Sequence, residues 1–100
     1  MPDGVKELPV EVRDEMEGLV SALLERGWSL VGTSYDANCF GNWHIDLRNG
    51  GSTLRLVKDR SQYMVDGSEL DELKAAGLLQ AFDRLKEFRD AIINWLVSAN

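Results

Sequence analysis

The sequence predicts an α+β domain, a two-layer sandwich of order αββββα. Its four-stranded antiparallel meander carries an N-terminal helix and one or two C-terminal helices on one face. Two observations lead to this fold class. The apolar spacing changes from three and four residues to two near residue 28, and changes back after residue 66. Asn49-Gly50 is also a favourable hairpin turn between two alternating segments. With 100 residues, the chain suits a single domain, 1–100.

The first helix is predicted over the stretch from Pro9 to Arg26, because its apolar residues recur on one face. These residues are Val12, Met16, Leu19, Val20, Leu23 and Leu24. Proline suits the first turn of a helix, where the missing N–H would have no partner. Gly27 suits the left-handed residue that ends a helix.

Four strands are predicted between residues 28 and 66, and the alternation of apolar residues determines which faces pair. A two-residue loop at Asn49-Gly50 places Ile45 opposite Leu54, whereas a three-residue loop would mix the two faces. The next turn is predicted at Asp59-Arg60, and the first loop at residues 36–39. The pairs predicted for these two hairpins are Leu56 with Tyr63, Leu54 with Val65, Leu30 with Ile45 and Gly32 with Trp43.

The C-terminal helical region is predicted to begin after the last strand. Ser68 is placed as an N-cap and Asp71 as the acid of a capping box. Ala76-Gly77 either ends a short helix or bends a longer one, and the periodic pattern then runs from about Leu78 to Val97. The pattern leaves open whether this region holds one helix or two.

The charge and cysteine content limit the classes of partner and compartment. A net charge of −6 disfavours nucleic-acid backbones and anionic membranes, and it favours a basic protein partner. One cysteine excludes an intramolecular disulfide. We find no secretion-signal pattern and no apolar run of the roughly 20 residues that span a bilayer. The sequence therefore predicts a cytoplasmic location, with no membrane and no nucleic acid as partner.

The segment from Cys39 to Asp46 contains the only cysteine and the only histidine of the chain. His44 and Asp46 fall on one face of a predicted strand, about 6.6 Å apart along it. Cys39 falls in the preceding loop, too far for a direct hydrogen bond to His44. The spacing does not match a zinc site, and no phosphate-binding loop or nucleophile elbow occurs. We therefore predict a non-enzymatic protein with no cofactor and no metal, in which His44 faces Arg55 across the hairpin.

The strand face turned away from the predicted core combines aromatic, methionine and arginine residues, which protein interfaces favour. The same residue types are also common on solvated sheet surfaces. The candidate binding residues on this face are Tyr35, Phe40, His44, Arg55, Val57 and Met64. An acidic surface on the first helix is a second candidate for contact with a basic partner.

One hairpin segment carries a resemblance to a protein family. The run from Leu54 to Asp66, after Gly41-Asn42-Trp43, resembles a hairpin of small bacterial immunity proteins that neutralise toxins. The likeness depends on Asp-Arg-x-Gln followed by an aromatic residue, at residues 59–63. Ser61 departs from the glycine that this family often has after Asp-Arg. The resemblance implies a cytoplasmic, non-enzymatic protein that binds and blocks one toxin, and it assigns no binding residues.

Three functions follow as hypotheses from these observations. The first is a small acidic protein-binding domain, in one form an immunity-type inhibitor of a bacterial toxin. The second is a small-ligand-binding or enzymatic domain with a pocket at the sheet, which would gather polar groups such as His44, Asp46 and Arg55. The third is a self-associating structural subunit, such as a homodimer formed through the outer sheet face.

Overall fold

The computed structural model describes residues 7–98 and confirms the predicted α+β architecture. Its four strands form one antiparallel meander in the order β1-β2-β3-β4. The helices pack on one side of this sheet, around a shared apolar core. The elements are α1 Val10–Glu25, β1 Ser29–Asp36, β2 Asn42–Asn49, β3 Ser52–Asp59, β4 Gln62–Gly67, α2 Leu70–Ala75 and α3 Leu85–Ser98.

Helix α1 ends at the glycine that the sequence predicts. Gly27 has a φ of 96°, in the left-handed region that a side chain disfavours. Its N–H donates to the carbonyl of Leu24 at 3.3 Å, and the N–H of Trp28 donates to Leu23 at 3.1 Å. This pair of bonds is the Schellman closure, in which the residue after glycine folds back on the helix. Trp28 is thereby placed against the end of α1.

The C-terminal region contains two helices with a break between them. Gly77, with a φ of 75°, closes α2 as Gly27 closes α1, and the N–H of Leu78 donates to Leu73 at 2.9 Å. The prediction of a helix from Leu78 is therefore wrong, because α3 begins at Leu85. The intervening chain instead reaches the sheet, where Phe82 and Tyr63 exchange two backbone hydrogen bonds of 2.8 Å.

Ser68 serves the sheet rather than the helix. It was predicted to cap α2, but α2 begins at Leu70 after Glu69, with no side-chain cap hydrogen bond. The hydroxyl of Ser68 accepts from the N–H of Thr53 at 2.8 Å, and its own N–H donates to the Thr53 carbonyl at 3.1 Å. The capping prediction is wrong because Thr53, near the start of β3, offers Ser68 a backbone partner.

The second hairpin turns one residue later than predicted. Asn49 remains in β2, paired with Ser52, and the turn is Gly50-Gly51. Gly50 takes the left-handed conformation, with a φ of 60°. Ile45 consequently lies opposite Leu56, two residues from its predicted partner. The assignment of side chains to the two faces is unchanged, because a shift of two residues preserves the alternation.

The third hairpin is shifted in the same way. Its turn is Arg60-Ser61, and both residues are left-handed, with φ values of 52° and 78°. Leu56 lies opposite Val65 rather than Tyr63. The side chain of Asn42 supports this turn by accepting from the N–H of Arg60 at 2.8 Å. A contact from another strand thus helps to fix a turn whose two residues are not glycine and seldom adopt a positive φ.

A β-bulge in β1 reverses the faces of the first hairpin. Val31 is an extra residue between the paired Leu30 and Gly32, so the alternation changes phase at that point. Tyr35, rather than Gly32, lies opposite Trp43 on the inner face. Tyr35 is partly buried against the core. Its predicted place on the outer face is therefore wrong.

The core lies between the inner sheet face and the helices. Aromatic contacts run through it from the sheet to α3, since Phe88 stacks on Tyr63 with ring centroids 5.4 Å apart. The strand and helix residues of this core are Trp43, Ile45, Leu47, Leu54, Leu56, Tyr63, Val65, Val12, Met16, Leu19, Val20, Leu23, Leu73, Phe88, Ile92 and Leu96, and Trp28 joins them from between α1 and β1.

Two glycines allow a matched test of this packing. We expect Gly67→Ala to lower the free energy of unfolding by about 1–3 kcal/mol, because its Cβ would lie 2.5 Å from the Thr53 carbonyl oxygen. Gly18 lies inside α1, and an added Cβ would meet no atom within 4 Å. Gly18→Ala should therefore raise the free energy of unfolding by about 0.5–1 kcal/mol. Urea unfolding measures both, and equal effects of the two substitutions would contradict this packing.

Candidate functional site

The outer sheet face is the side of the sheet turned away from the helices. Its central row contains the apolar side chains of Val57 and Met64, and we call it the apolar row. In this row Ser34 lies opposite His44, His44 opposite Val57, and Val57 opposite Met64. The last three side chains are partly buried. No helix of the described residues packs over this row, because the core lies on the other side. Three of the six predicted binding residues therefore lie together.

A charged row lies beside the apolar row. The guanidinium of Arg55 donates from Nε to Asp46 Oδ1 at 2.6 Å and from Nη2 to Oδ2 at 3.0 Å. This two-bond contact, and the charge of Asp46, raise the pKa of Arg55 further. Asp66 lies opposite Arg55 on β4. Arg55 and Asp46 thus hold each other in place on the exposed face.

The position of His44 differs from its prediction. It faces Val57, not Arg55, because the hairpin register is shifted by two residues. Its Nε2 atom lies 3.7 Å from Asp46 Oδ2, beyond hydrogen-bond length. Both oxygens of that carboxylate already accept hydrogen bonds from Arg55. The pair therefore lacks the direct bond by which a carboxylate orients a catalytic histidine.

A depression of about 420 Å³ lies at the end of the charged row. Arg48, Thr53, Arg55 and Asp66 are among the residues that line it. Val31 forms part of its wall and is 60% exposed, because the β1 bulge turns this side chain outward. This end of the outer sheet face is thus concave and mixes charges of both signs.

Phe40 lies at the opposite end, in the connection between β1 and β2. It has a positive φ of 58° and is 73% exposed. The Arg60 guanidinium lies 5.6 Å from the centre of its ring, a cation–π distance. The side-chain amide of Asn42 donates to Asp59 at 3.2 Å, so the first and third hairpins are joined beside Phe40. An exposed aromatic side chain is therefore held on a supported turn.

The fold brings four of the six predicted binding residues to the outer sheet face. His44, Val57 and Met64 form the apolar row, and Arg55 lies in the next row. Phe40 lies in the β1–β2 connection rather than in a strand. Tyr35 packs on the core side instead. Sequence reasoning missed Ser34, which lies opposite His44 in the apolar row. Gly32 was the available signal, since a glycine within a strand often marks a bulge.

Cys39, the other reactive group of the segment from Cys39 to Asp46, does not converge with His44. Cys39 is exposed in the β1–β2 connection, where the side-chain amide of Asn42 donates to its Sγ at 3.6 Å. Over residues 7–98, no group of three or more His, Cys, Asp and Glu residues could hold a metal ion. Within the same range, no helix is both long enough and apolar enough to cross a membrane.

A second cluster of titratable groups lies on the helix side, at Glu15 of α1. The hydroxyl of Tyr63 donates to Glu15 Oε2 at 2.7 Å, and Lys58 Nζ lies 3.3 Å from Oε1. Arg89 of α3 donates to the Glu15 backbone carbonyl at 3.2 Å. Burial, together with the hydrogen bond to Glu15, raises the pKa of Tyr63 to about 12. The cluster joins α1 to both β3 and β4, and we assign it a structural role.

The Tyr63 hydroxyl predicts a loss of stability at alkaline pH. Because its pKa rises from 10.0 to about 12 on folding, the folded chain holds this proton more tightly than the unfolded chain. This contribution is complete below pH 10 and is lost as the pH rises through 12. Its size is of the order of 2 kcal/mol. We expect Tyr63→Phe to remove this alkaline loss.

The measurement is urea unfolding from about pH 8 to about pH 12, since linkage acts over that range. Tyr35→Phe is the matched control and should retain the alkaline loss of the unaltered chain. If the unaltered chain and Tyr63→Phe lose stability in parallel, the tyrosine hydroxyl is not the group responsible.

In comparisons with protein-family models, curated proteins and solved structures, no match to this chain was found. The resemblance of the β3–β4 hairpin to immunity proteins therefore stays a prediction. A function for the chain has to be argued from the geometry and charge of its surfaces.

Proposed function

We propose that this chain is a non-enzymatic protein-binding domain that binds a basic protein through the outer sheet face. The main support is the apolar row formed by His44, Val57 and Met64, which no helix of residues 7–98 covers. Protein interfaces combine such an apolar centre with a polar rim. The charged row provides that rim on one side, and the polar groups of Asn42, Asp59 and Arg60 beside Phe40 provide it at the other end.

Charges of both signs surround the apolar row, including those of Arg48 and Arg60, and the net charge of the chain favours a basic partner. Asp46 is paired with Arg55, so its charge is balanced within the face. Asp36, Asp59 and Asp66 are exposed around the same face. The chain as a whole carries a net charge of −6. Such a field attracts a basic protein and speeds its association at low salt.

An immunity-type inhibitor of a bacterial toxin is the specific form of this function that we propose. The segment that resembles immunity proteins, residues 54–66, supplies Arg55, Val57, Met64 and Asp66 to the outer sheet face. The net charge of −6 on the whole chain suits a basic toxin such as a nuclease. The exposed thiol of Cys39 is compatible with a reducing cytoplasm, which is the compartment that we propose.

The fold hinders self-association through the sheet edges, which is a different route from the homodimer predicted through the outer sheet face. The bulge at Val31 interrupts the edge strand β1, and bulges hinder edge-to-edge pairing. At the other edge, Phe82 occupies the backbone groups of Tyr63. We expect sedimentation equilibrium to give a monomer mass at high micromolar concentration. A dimer mass would favour the homodimer formed through the outer sheet face instead.

The depression beside Arg55 favours a second candidate function, binding of a small polar ligand. Its volume of about 420 Å³ and its mixed charges would suit such a molecule. Thermal shift against a library of small metabolites tests this candidate on the purified chain. A hit whose effect disappears in Arg55→Ala would favour the small-ligand function over protein binding.

The protein-binding proposal predicts that a change from valine to glutamate affects the affinity for the partner differently on the outer sheet face and on the helix side. The tagged chain is first used to capture a stoichiometric protein from its host, which we expect to be basic. We expect Val57→Glu to weaken the affinity for that protein at least about tenfold, because a carboxylate would interrupt the apolar row.

Val97→Glu is the matched control, because Val97 is 57% exposed at the end of α3, on the helix side. It should leave the affinity within about twofold, as is usual for a residue outside an interface. Urea unfolding verifies that both variants are folded. Equal affinities of Val57→Glu and the unaltered chain, or an acidic captured protein, would overturn the proposal.

A further inference from the structure

A second cavity lies on the helix side of the sandwich and shares no lining residue with the depression on the outer sheet face. It has a volume of about 230 Å³ and lies where α1 and α3 end, beside the β2–β3 turn. We call it the tryptophan pocket, after its walls. Its defining residues are Trp28, Trp95, Glu69 and Glu72.

The fold sets the two indole rings at an angle to each other. Trp28 is placed by the Schellman closure of α1, and Trp95 projects from α3. Their ring centroids are 6.3 Å apart and their planes are inclined by 52°. The electron-rich face of an indole attracts organic cations, and tryptophan does so more strongly than the other aromatic side chains. Two walls of the pocket thus favour a positively charged guest.

The carboxylates of the pocket are held in position but are not neutralised. Glu72 Oε1 accepts from the indole N–H of Trp95 at 3.0 Å, and Glu69 Oε1 accepts from the hydroxyl of Ser52 at 2.8 Å. These neutral donors orient both groups. Among the ion pairs of residues 7–98, none includes Glu69 or Glu72. Each carboxylate is therefore available to pair with a cationic group of another molecule.

The helix ends add to this potential. The carboxyl ends of α1 and α3 meet here, and such ends carry a partial negative charge. Arg26 already contacts one of these helix ends, because its Nη1 donates to the Leu96 carbonyl of α3 at 3.3 Å. Arg26 bonds this carbonyl and forms no ion pair with either glutamate. The Arg26 guanidinium therefore leaves the carboxylates of Glu69 and Glu72 without an ion-pair partner among the described residues.

We propose that the tryptophan pocket binds the guanidinium group of an arginine side chain that another protein presents. A guanidinium is planar, so it can stack on an indole while its edge donates to carboxylates. An ammonium group lacks that flat shape and is more strongly hydrated. The pocket and the outer sheet face use different residues, so this proposal does not rest on the function proposed above.

The first test compares charged and neutral probes on the unaltered chain. The probe is an acetyl-Gly-Arg-Gly-amide peptide, and its control carries citrulline, the neutral isostere of arginine. The readout is the NMR shift of the indole N–H groups, with the core residue Trp43 as an internal reference. We expect Trp28 and Trp95 to shift with a dissociation constant on the order of 1 mM, and the citrulline peptide to bind far more weakly.

Substitution of the carboxylates is the second test. We expect the double variant Glu69→Gln, Glu72→Gln to bind the arginine peptide about tenfold more weakly, because two charged acceptors become neutral amides. Glu87→Gln is the matched control on an exposed glutamate of α3, and it should change the affinity less than about twofold. A purely structural role for these glutamates at the start of α2 predicts lower stability and unchanged peptide binding.

Several outcomes would overturn the proposal. Equal binding of the citrulline and arginine peptides would show that the pocket does not recognise charge. Unchanged affinity of the double variant would show that the carboxylates do not bind the peptide. Ethylguanidinium serves as the free-cation probe. If it binds while the arginine peptide does not, the pocket takes small cations and not a protein side chain. The comparison of the two peptides does not depend on the folding of any variant.

Discussion

Burial of the inner sheet face beneath α1 and α3 is the interaction on which the rest of this structure depends. Ile45 and Leu56 face each other at the centre of the sheet and are fully buried, as are Met16 and Ile92 on the helices. Removal of this apolar surface from water is the dominant favourable contribution to folding. Because side chains alternate along a strand, each residue fixed in the core directs its neighbour outward. The outer face can therefore vary in composition without loss of the core.

Polar contacts determine how these layers are aligned. Glu15 receives the Tyr63 hydroxyl and Lys58 from the sheet, and its backbone carbonyl accepts from Arg89 of α3. Apolar packing alone tolerates small sliding of a helix on a sheet, whereas these hydrogen bonds have defined directions. The bridge between Phe82 and Tyr63 fixes the chain between α2 and α3 in the same way. These contacts give the apolar layers one arrangement.

The order of the elements and the faces of three strands could be predicted from the sequence, because both depend on local periodicity. The exact register could not. Asn49-Gly50 and Gly50-Gly51 both suit a tight turn, and a shift of two residues leaves the alternation intact. The place of Tyr35 was wrong because the bulge at Val31 is fixed by pairing with β2. The tryptophan pocket joins Trp28, which follows α1, to residues of α2 and α3, and no short motif marks such a site.

The treatment of the sheet edges has a consequence for how this chain can change over evolutionary time. Fibrils grow when a free strand edge adds further strands, so apolar substitutions on a sheet carry a risk of aggregation. Here β1 is interrupted at Val31, and the Tyr63 backbone in β4 is occupied by Phe82. Both devices lie outside the apolar row of the outer sheet face. That row can therefore accept apolar substitutions with less danger of creating a fibril nucleus.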